Sequence, residues 1–310
     1  MICAYCGKEA RATREHIISS GILDLFPECF ETFDPERNAV YAHDPMVRDV
    51  CADCNNNRIA YIDSYAKDFI NAYFVKKYSK DESLTIDYDY ALLQKMCLKY
   101  AFNEMRSREK DVSFFDDEVK NYLLNETENT PLRNVTLLAG LAVNTSPALD
   151  CIFGNRKLRW GDSPCFLSNS LLMYTDYETG MLYLRDKAEK QEFQKCVLSY
   201  VFRFNSLQML MLCWNKDISD DDLVGNKTLL RYQYPYQILD ESGQSTLSRC
   251  TSEVTYHHEK IIDVTWGQSM WDEVSEFRGT FSEDTQKMLS EIESKWNQEE
   301  QRLASSHPRR

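Results

Sequence analysis

Residues 3–20 read CAYCGKEARATREHIISS, and residues 47–70 read VRDVCADCNNNRIAYIDSYAKDFI. Each stretch holds a C-x2-C pair, Cys3 with Cys6 and Cys51 with Cys54, and 44 residues separate the two pairs. One such pair is compatible with a redox dithiol. Two of them, with Gly7 turning the chain after the first and Asn55-Asn56-Asn57 after the second, supply the four thiolates of a tetrahedral structural zinc. The alternative is four unrelated buried thiols. Zn²⁺ on Cys3, Cys6, Cys51 and Cys54 would tie together a loop too polar to fold by burial alone.

The surrounding pattern has an order. Glu15-His16 follows the first pair on a strand, FDPERNAVYAHDPMVRDV (residues 33–50) has the turns of a hairpin, and a helix follows Cys54. Apolar residues at Ile59, Ile62, Ala66, Phe69, Ala72 and Tyr73 give that helix its periodicity, and Asn55 stands where an N-cap would.

The other seven of the eleven cysteines are scattered, mostly in apolar segments, where free cysteine packs as a small hydrophobe. With an odd total and no charged n-region leading into an apolar stretch, a disulfide framework is not expected. There is no run of about 18 apolar residues, so no membrane span is expected and a soluble, cytoplasmic protein is. At 310 residues, 43% hydrophobic and 27% charged, the chain has the apolar material for a real core. The net charge of −13 speaks against a broad nucleic-acid surface. Its distribution softens that objection: residues 1–80 carry ten Lys/Arg against twelve Asp/Glu, and the next fifty carry six against twelve.

Taken in order, C-x2-C, E-H-I and C-x2-C-N resemble the HNH endonuclease family, in the variant whose ββα-metal (treble-clef) core is braced by a four-cysteine zinc. The resemblance covers about residues 3–75, with a weaker echo in DYALLQKMCLKYAFNEMRS, residues 89–107. It implies that His16 is the general base on the attacking water, that Glu15 is an acidic ligand of a catalytic Mg²⁺ or Mn²⁺, and that Asn55 completes that divalent site. It also implies a phosphodiester substrate, DNA rather than RNA, with restriction or phage defence as the setting. A regulatory protein partner and a homodimer are both family habits that the sequence leaves open. Two departures are visible: the family's central asparagine precedes the second knuckle, where this chain reads Met46-Val47-Arg48-Asp49-Val50, so that either Asn38 substitutes at another offset or the role is missing, and the last ligand is Asn55 rather than a histidine, which the family tolerates.

The chemistry supports such roles independently. An imidazole accepts a proton near neutral pH, and hard carboxylate and amide oxygens suit a hydrated divalent ion as thiolates suit zinc. The plainer alternatives stand beside it. His16 could be a solvated histidine, Glu15 could face away from His16 and pair with Arg11 or Arg14, Asn55 could only cap its helix, and His43 could be a turn residue.

Beyond residue 80, LTIDYD (84–89) reads as a strand and about 90–109 as a helix. Lys95, Lys99, Asn103 and Arg106 share a face of it, either a contact for a phosphate backbone through Lys95, Lys99 and Arg106 or a solvated helix surface. From 131 the period changes to two. VTLLAGLAV, LLMYTDYETGMLYLR, CVLSYVFRFNSLQMLMLCW, LLRYQYPYQIL and EVTYHHEKIIDVTW read as strands, with Tyr177–Gly180 and Asn205-Ser206 as turns and Pro235 favouring an edge. His257-His258-Glu259 cannot chelate one metal from a strand, because neighbouring side chains face opposite sides. SEDTQKMLSEIESKWNQEEQRL is an amphipathic helix with Met288, Leu289, Ile292, Trp296 and Leu303 on one side. The expected fold is therefore α+β. A zinc-bound ββα-metal nuclease core spans 1–80 and a helical connector 81–130. A mainly antiparallel β-rich domain spans 131–265, and a C-terminal helix with a disordered tail 266–310. A non-catalytic zinc-stabilised module that binds nucleic acid or protein is the alternative function.

Overall fold

The structure, a computed structural model, describes residues 1–26, 31–34, 39–41, 43–79, 81–143, 156–158, 165–169, 173–176, 181–184, 193, 195–233, 236–250 and separate positions between 282 and 298. It is a mixed α+β fold. In chain order the elements are β1 (Ala12–His16), α1 (Ser20–Leu23), β2 (Glu31–Asp34), β3 (Ala39–Tyr41) and β4 (Met46–Cys51), then a π-helical turn, Cys54–Arg58, and α2 (Ala60–Tyr73). There follow β5 (Leu84–Asp87), α3 (Tyr90–Ser107), α4 (Asp117–Leu124), β6 (Val135–Leu141), β7 (Arg156–Leu158), β8 (Cys165–Asn169), β9 (Met173–Asp176) and β10 (Met181–Leu184). The described elements close with β11 (Cys196–Phe204), β12 (Leu207–Trp214), α5 (Asp220–Gln233), β13 (Gln237–Ile238) and β14 (Gln244–Leu247).

The two cysteine pairs are brought together by β1 and β4, which pair antiparallel with Ala12 opposite Cys51 and His16 opposite Met46. The register shifts between Thr13 and Glu15, a bulge of the kind that re-aims the side chains beside it. β2 and β3 form the hairpin expected between them, and β7 adds a third strand on the β2 side.

The second sheet has the order β13-β6-β12-β11-β8, every described pairing antiparallel. Its central strands read as near-continuous apolar runs because both faces are covered. Leu137, Ala139, Tyr200, Phe202, Phe204, Met209 and Met211 point into the large core shared with the N-terminal segment. The alternate residues Leu138, Val201, Leu210, Leu212 and Trp214 pack with Ile218, Leu223 and Leu230 around α5. The shared core runs from Cys3 to Leu247, so residues 1–80, 81–130 and the sheet are packed on one another.

At its centre lies α3. From Ala91 to Met105 only Leu92 is not fully buried, which explains why the helix is apolar on most of its circumference. Asp89 caps it, accepting from the N–H of Leu92 at 2.9 Å.

Several expectations hold. The strand at LTIDYD is β5, paired with β14, the helix after it is α3, and β11 and β12 turn at Asn205-Ser206. Others need correction. LLRYQYPYQIL is not a strand, because α5 runs through Gln233 and only Gln237–Ile238 pair, at the sheet edge. The described positions from 283 to 298 are helical as expected. The apolar side of that helix, the segment EVTYHHEKIIDVTW with His257 and His258, and the tail lie outside the described residues. No helix among the described residues is long and apolar enough to cross a membrane.

Candidate metal centre and the strand beside it

The first knuckle is shaped by Gly7, whose φ of +68° is the left-handed conformation that glycine adopts without strain, and whose N–H bonds the Cys3 carbonyl at 2.9 Å. The second is the corner where β4 passes into the π-helical turn. The sulfurs of Cys3, Cys6, Cys51 and Cys54 all lie within 4.8 Å of one another, and those of Cys6 and Cys51 are 3.8 Å apart. Sulfurs 2.3 Å from a tetrahedral zinc stand about 3.8 Å from each other, so the donor set fits that ion. No other group of three or more His, Cys, Asp or Glu among the described residues comes together in this way.

The knuckle backbone is aimed at the sulfurs. The N–H of Cys51 lies 3.4 Å from the Cys3 sulfur, and that of Cys54 lies 3.4 Å from the Cys51 sulfur. Burial alone would raise the Cys3 thiol, but N–H groups of Cys6, Cys51 and Tyr5 outweigh it and bring it down to about 7. Burial, and then the neighbouring sulfurs of Cys51 and Cys6, push the Cys54 thiol well above its ordinary range. Burial raises the Cys6 thiol too. Four thiolates packed this closely need a divalent cation to ionise together, a charge that a zinc ion would supply.

His16 ends β1. Its ring is about a third exposed (32%), and Nε2 lies 3.7 Å from Oδ2 of Asp44, in the loop entering β4. Glu15, one residue earlier, points the other way, as strand alternation requires, and is buried. Neither Arg11 nor Arg14 is the partner it finds there. Its Oε1 is 2.8 Å from the ammonium of Lys99, which has no exposed side-chain surface and also reaches Asp63 at 2.6 Å. Burial raises the Glu15 carboxyl above its ordinary value, with Lys99 pulling it partly back. Asn55 is no N-cap. It lies inside the π-helical turn, and its amide donates to Thr13 Oγ1 at 3.0 Å and to the Arg14 carbonyl at 2.9 Å, lashing the turn to β1 at the bulge.

The three side chains expected on nucleic acid are packed inside. Lys95 donates to the carbonyls of Asn125 and Glu128 at 2.8 and 2.7 Å, with its ammonium over the rings of Tyr122 and Tyr61. Lys99 is taken up by Glu15 and Asp63. Arg106 pairs with Asp49 at 2.8 Å and lies 3.9 Å over the Phe102 ring. The stripe is real, but it faces the interior, where carboxylates, carbonyls and rings satisfy it. A signal was available, since Leu93, Met96, Cys97, Leu98, Ala101 and Phe102 leave α3 little polar circumference to show to solvent. The partners Asp63, Asp49 and Asp44 carried no such signal. His43 is exposed beside Asp44, and Asn38 lies outside the described residues.

Fold and site together define an α+β protein with two knuckles whose four cysteines are placed to hold a metal ion such as zinc. Compared with known proteins, the chain matches no family model, no curated protein and no solved structure.

Proposed function

We propose that the chain is an HNH-type endonuclease that hydrolyses phosphodiester bonds in DNA, with its zinc site as a structural brace. The observation that carries the proposal is the placement of His16. The imidazole is solvent-accessible, sits at the end of the strand leaving the first knuckle, and has the Asp44 carboxylate 3.7 Å from Nε2, a negative charge that favours the imidazolium formed when the ring takes up a proton. The hairpin of β1 and β4 followed by α2 is the ββα order that such nucleases use, and the four sulfurs hold its ends together. In this mechanism His16 takes a proton from the attacking water, and the brace together with Asn55 fixes the backbone that presents the ring.

The Glu15 and Asn55 pair does not fit a hydrated Mg²⁺ or Mn²⁺. The carboxylate is buried against Lys99, and the Asn55 amide donates to β1. Restriction or phage defence remains the setting proposed for the activity, with a regulatory partner or a second copy supplying the DNA contacts that α3 does not offer.

A second function has an observation in its favour. The neutralised Glu15 suits a zinc-stabilised module that binds without catalysis, since bracing alone does not need an accessible carboxylate. Nicking of supercoiled plasmid with Mg²⁺ or Mn²⁺, comparing wild type with His16→Ala, separates the two. A loss of roughly a hundredfold or more in the variant is expected for a general base. Equal rates at one zinc per chain would leave the binding module standing.

A further inference from the structure

The buried helix α3 meets the His16 strand through one side chain. Asn103 has no exposed surface, and both ends of its amide are engaged. Its Nδ2 donates to Glu15 Oε1 at 3.3 Å and to the backbone carbonyl of His16 at 3.0 Å. Its Oδ1 accepts from the Tyr5 hydroxyl at 2.7 Å and from Arg106 Nη2 at 3.0 Å. A guanidinium can only donate and a backbone carbonyl can only accept, so turning the amide over would break these contacts together. One residue thus joins the first zinc knuckle, through Tyr5 between Cys3 and Cys6, to the carbonyl of His16. Glu15 is drawn into the same fixture by Lys99 at 2.8 Å, and Lys99 is itself held by Asp63.

We propose that Asn103 is a positioning residue for His16, and that Glu15 belongs to this clamp rather than to a divalent-metal site. The proposal rests on His16 acting as the general base. Asn103 holds the carbonyl of the peptide between His16 and Ile17, just past the bulge, while the N–H of that peptide bonds the Pro45 carbonyl at 3.1 Å. Freed of the Asn103 bond, the peptide keeps only the N–H anchor on Pro45, and it can tilt about that anchor, carrying the carbonyl and the ring direction with it. A misplacement of about 1 Å costs on the order of a hundredfold in turnover, while contacts to the rest of the substrate are unaffected.

The test uses the full-length zinc-loaded chain in the plasmid assay, with zinc content and thermal melting measured on every variant. Asn103→Ala is expected to lower kcat by roughly 10- to 100-fold with KM nearly unchanged and zinc retained. Tyr5→Phe, which removes one hydroxyl and leaves the packing, should show a smaller loss of the same kind. Mn²⁺ binding, followed by electron paramagnetic resonance, should be the same in Glu15→Gln as in wild type. Wild-type kcat in a folded Asn103→Ala overturns the clamp. Should that variant not fold, Tyr5→Phe decides, because unchanged kcat at unchanged melting overturns it equally. Mn²⁺ affinity weakened tenfold in Glu15→Gln restores the carboxylate to a metal site and refutes its place here. If His16→Ala is as active as wild type, the nuclease assignment itself has failed and the clamp falls with it. Loss in His16→Ala with none in Asn103→Ala defeats the clamp alone.

Discussion

Residues 1–75 and the five-stranded sheet meet across α3, yet they are held together by different chemistry. In the first, two knuckles converge on four sulfurs within 4.8 Å, and the polar face of α3 supplies Lys99, Asn103 and Arg106 to Glu15, Asp63 and Asp49. In the second, β6, β11 and β12 bury apolar side chains on both faces, with Trp214 fully enclosed and its indole N–H on Thr136 at 2.9 Å. The difference shows what each composition permits. A segment with many charges and short strands is ordered by paired charges and offers four sulfurs that a metal could tie together, each link depending on one partner. A strand such as MLMLCW spreads its stability over many contacts, and no single one decides the fold.

The sharpest way to break that contrast is Cys51→Ser. It should abolish stoichiometric zinc and the structure of the first 75 residues, read as metal content together with a lost or split melting transition, because structural zinc sites carry folding free energy of about 10 kcal/mol or more. A soluble variant that melts normally without zinc would remove the metal from the account. Next comes Lys99→Met, which leaves the buried Glu15 and the partly exposed Asp63 facing each other without a cation. Urea unfolding should show a loss of about 3 kcal/mol, and wild-type stability would mean that the ion pairs contribute nothing net.

The sheet should respond more mildly. At Gly140 an added methyl would stand 2.4 Å from the β-carbon of Cys250, where the 248–250 segment crosses β6. Gly140→Ala should therefore cost about 1–3 kcal/mol by overpacking, measured in the same titration. No loss would show that this crossing is looser than the packing implies.

The smallest effect is a tilt with pH. Burial pushes the Cys250 thiol from its ordinary 9.0 up to about 12. A raised folded-state value means that the unfolded chain gives up the proton first. The contribution is then whole below pH 9 and is lost as pH rises toward 12. The slope from one such group is at most about 1.4 kcal/mol per pH unit. Unfolding free energies from pH 8 to 11 should fall less steeply in Cys250→Ala than in wild type, and equal slopes would discount the thiol.

Much of the fold was legible because its signals are local. The spacing of Cys3, Cys6, Cys51 and Cys54, the hairpin turns and the apolar runs of β6, β11 and β12 need no partner to be recognised. The segment 229–239 misled because its alternating aromatics and leucines suit a strand, while the triple aspartate at Asp220–Asp222 starts a helix ahead of it. The candidate site was legible as a list and not as an arrangement.

By itself the sequence determined four thiols at metal-binding spacing, a histidine beside them, strand alternation that sends Glu15 and His16 to opposite sides, and an α3 stripe of Lys95, Lys99, Asn103 and Arg106. Only the tertiary structure decided which way that stripe faces. Periodicity specifies the side chains that share a helix face, but not what covers the face, and partners 36 to 98 residues away meet Lys99 and Asn103 only after the chain has collapsed. Burial then turns cations that could have met phosphate into the counter-ions of Glu15, Asp63 and Asp49, because a charge withdrawn from water requires its partner within reach.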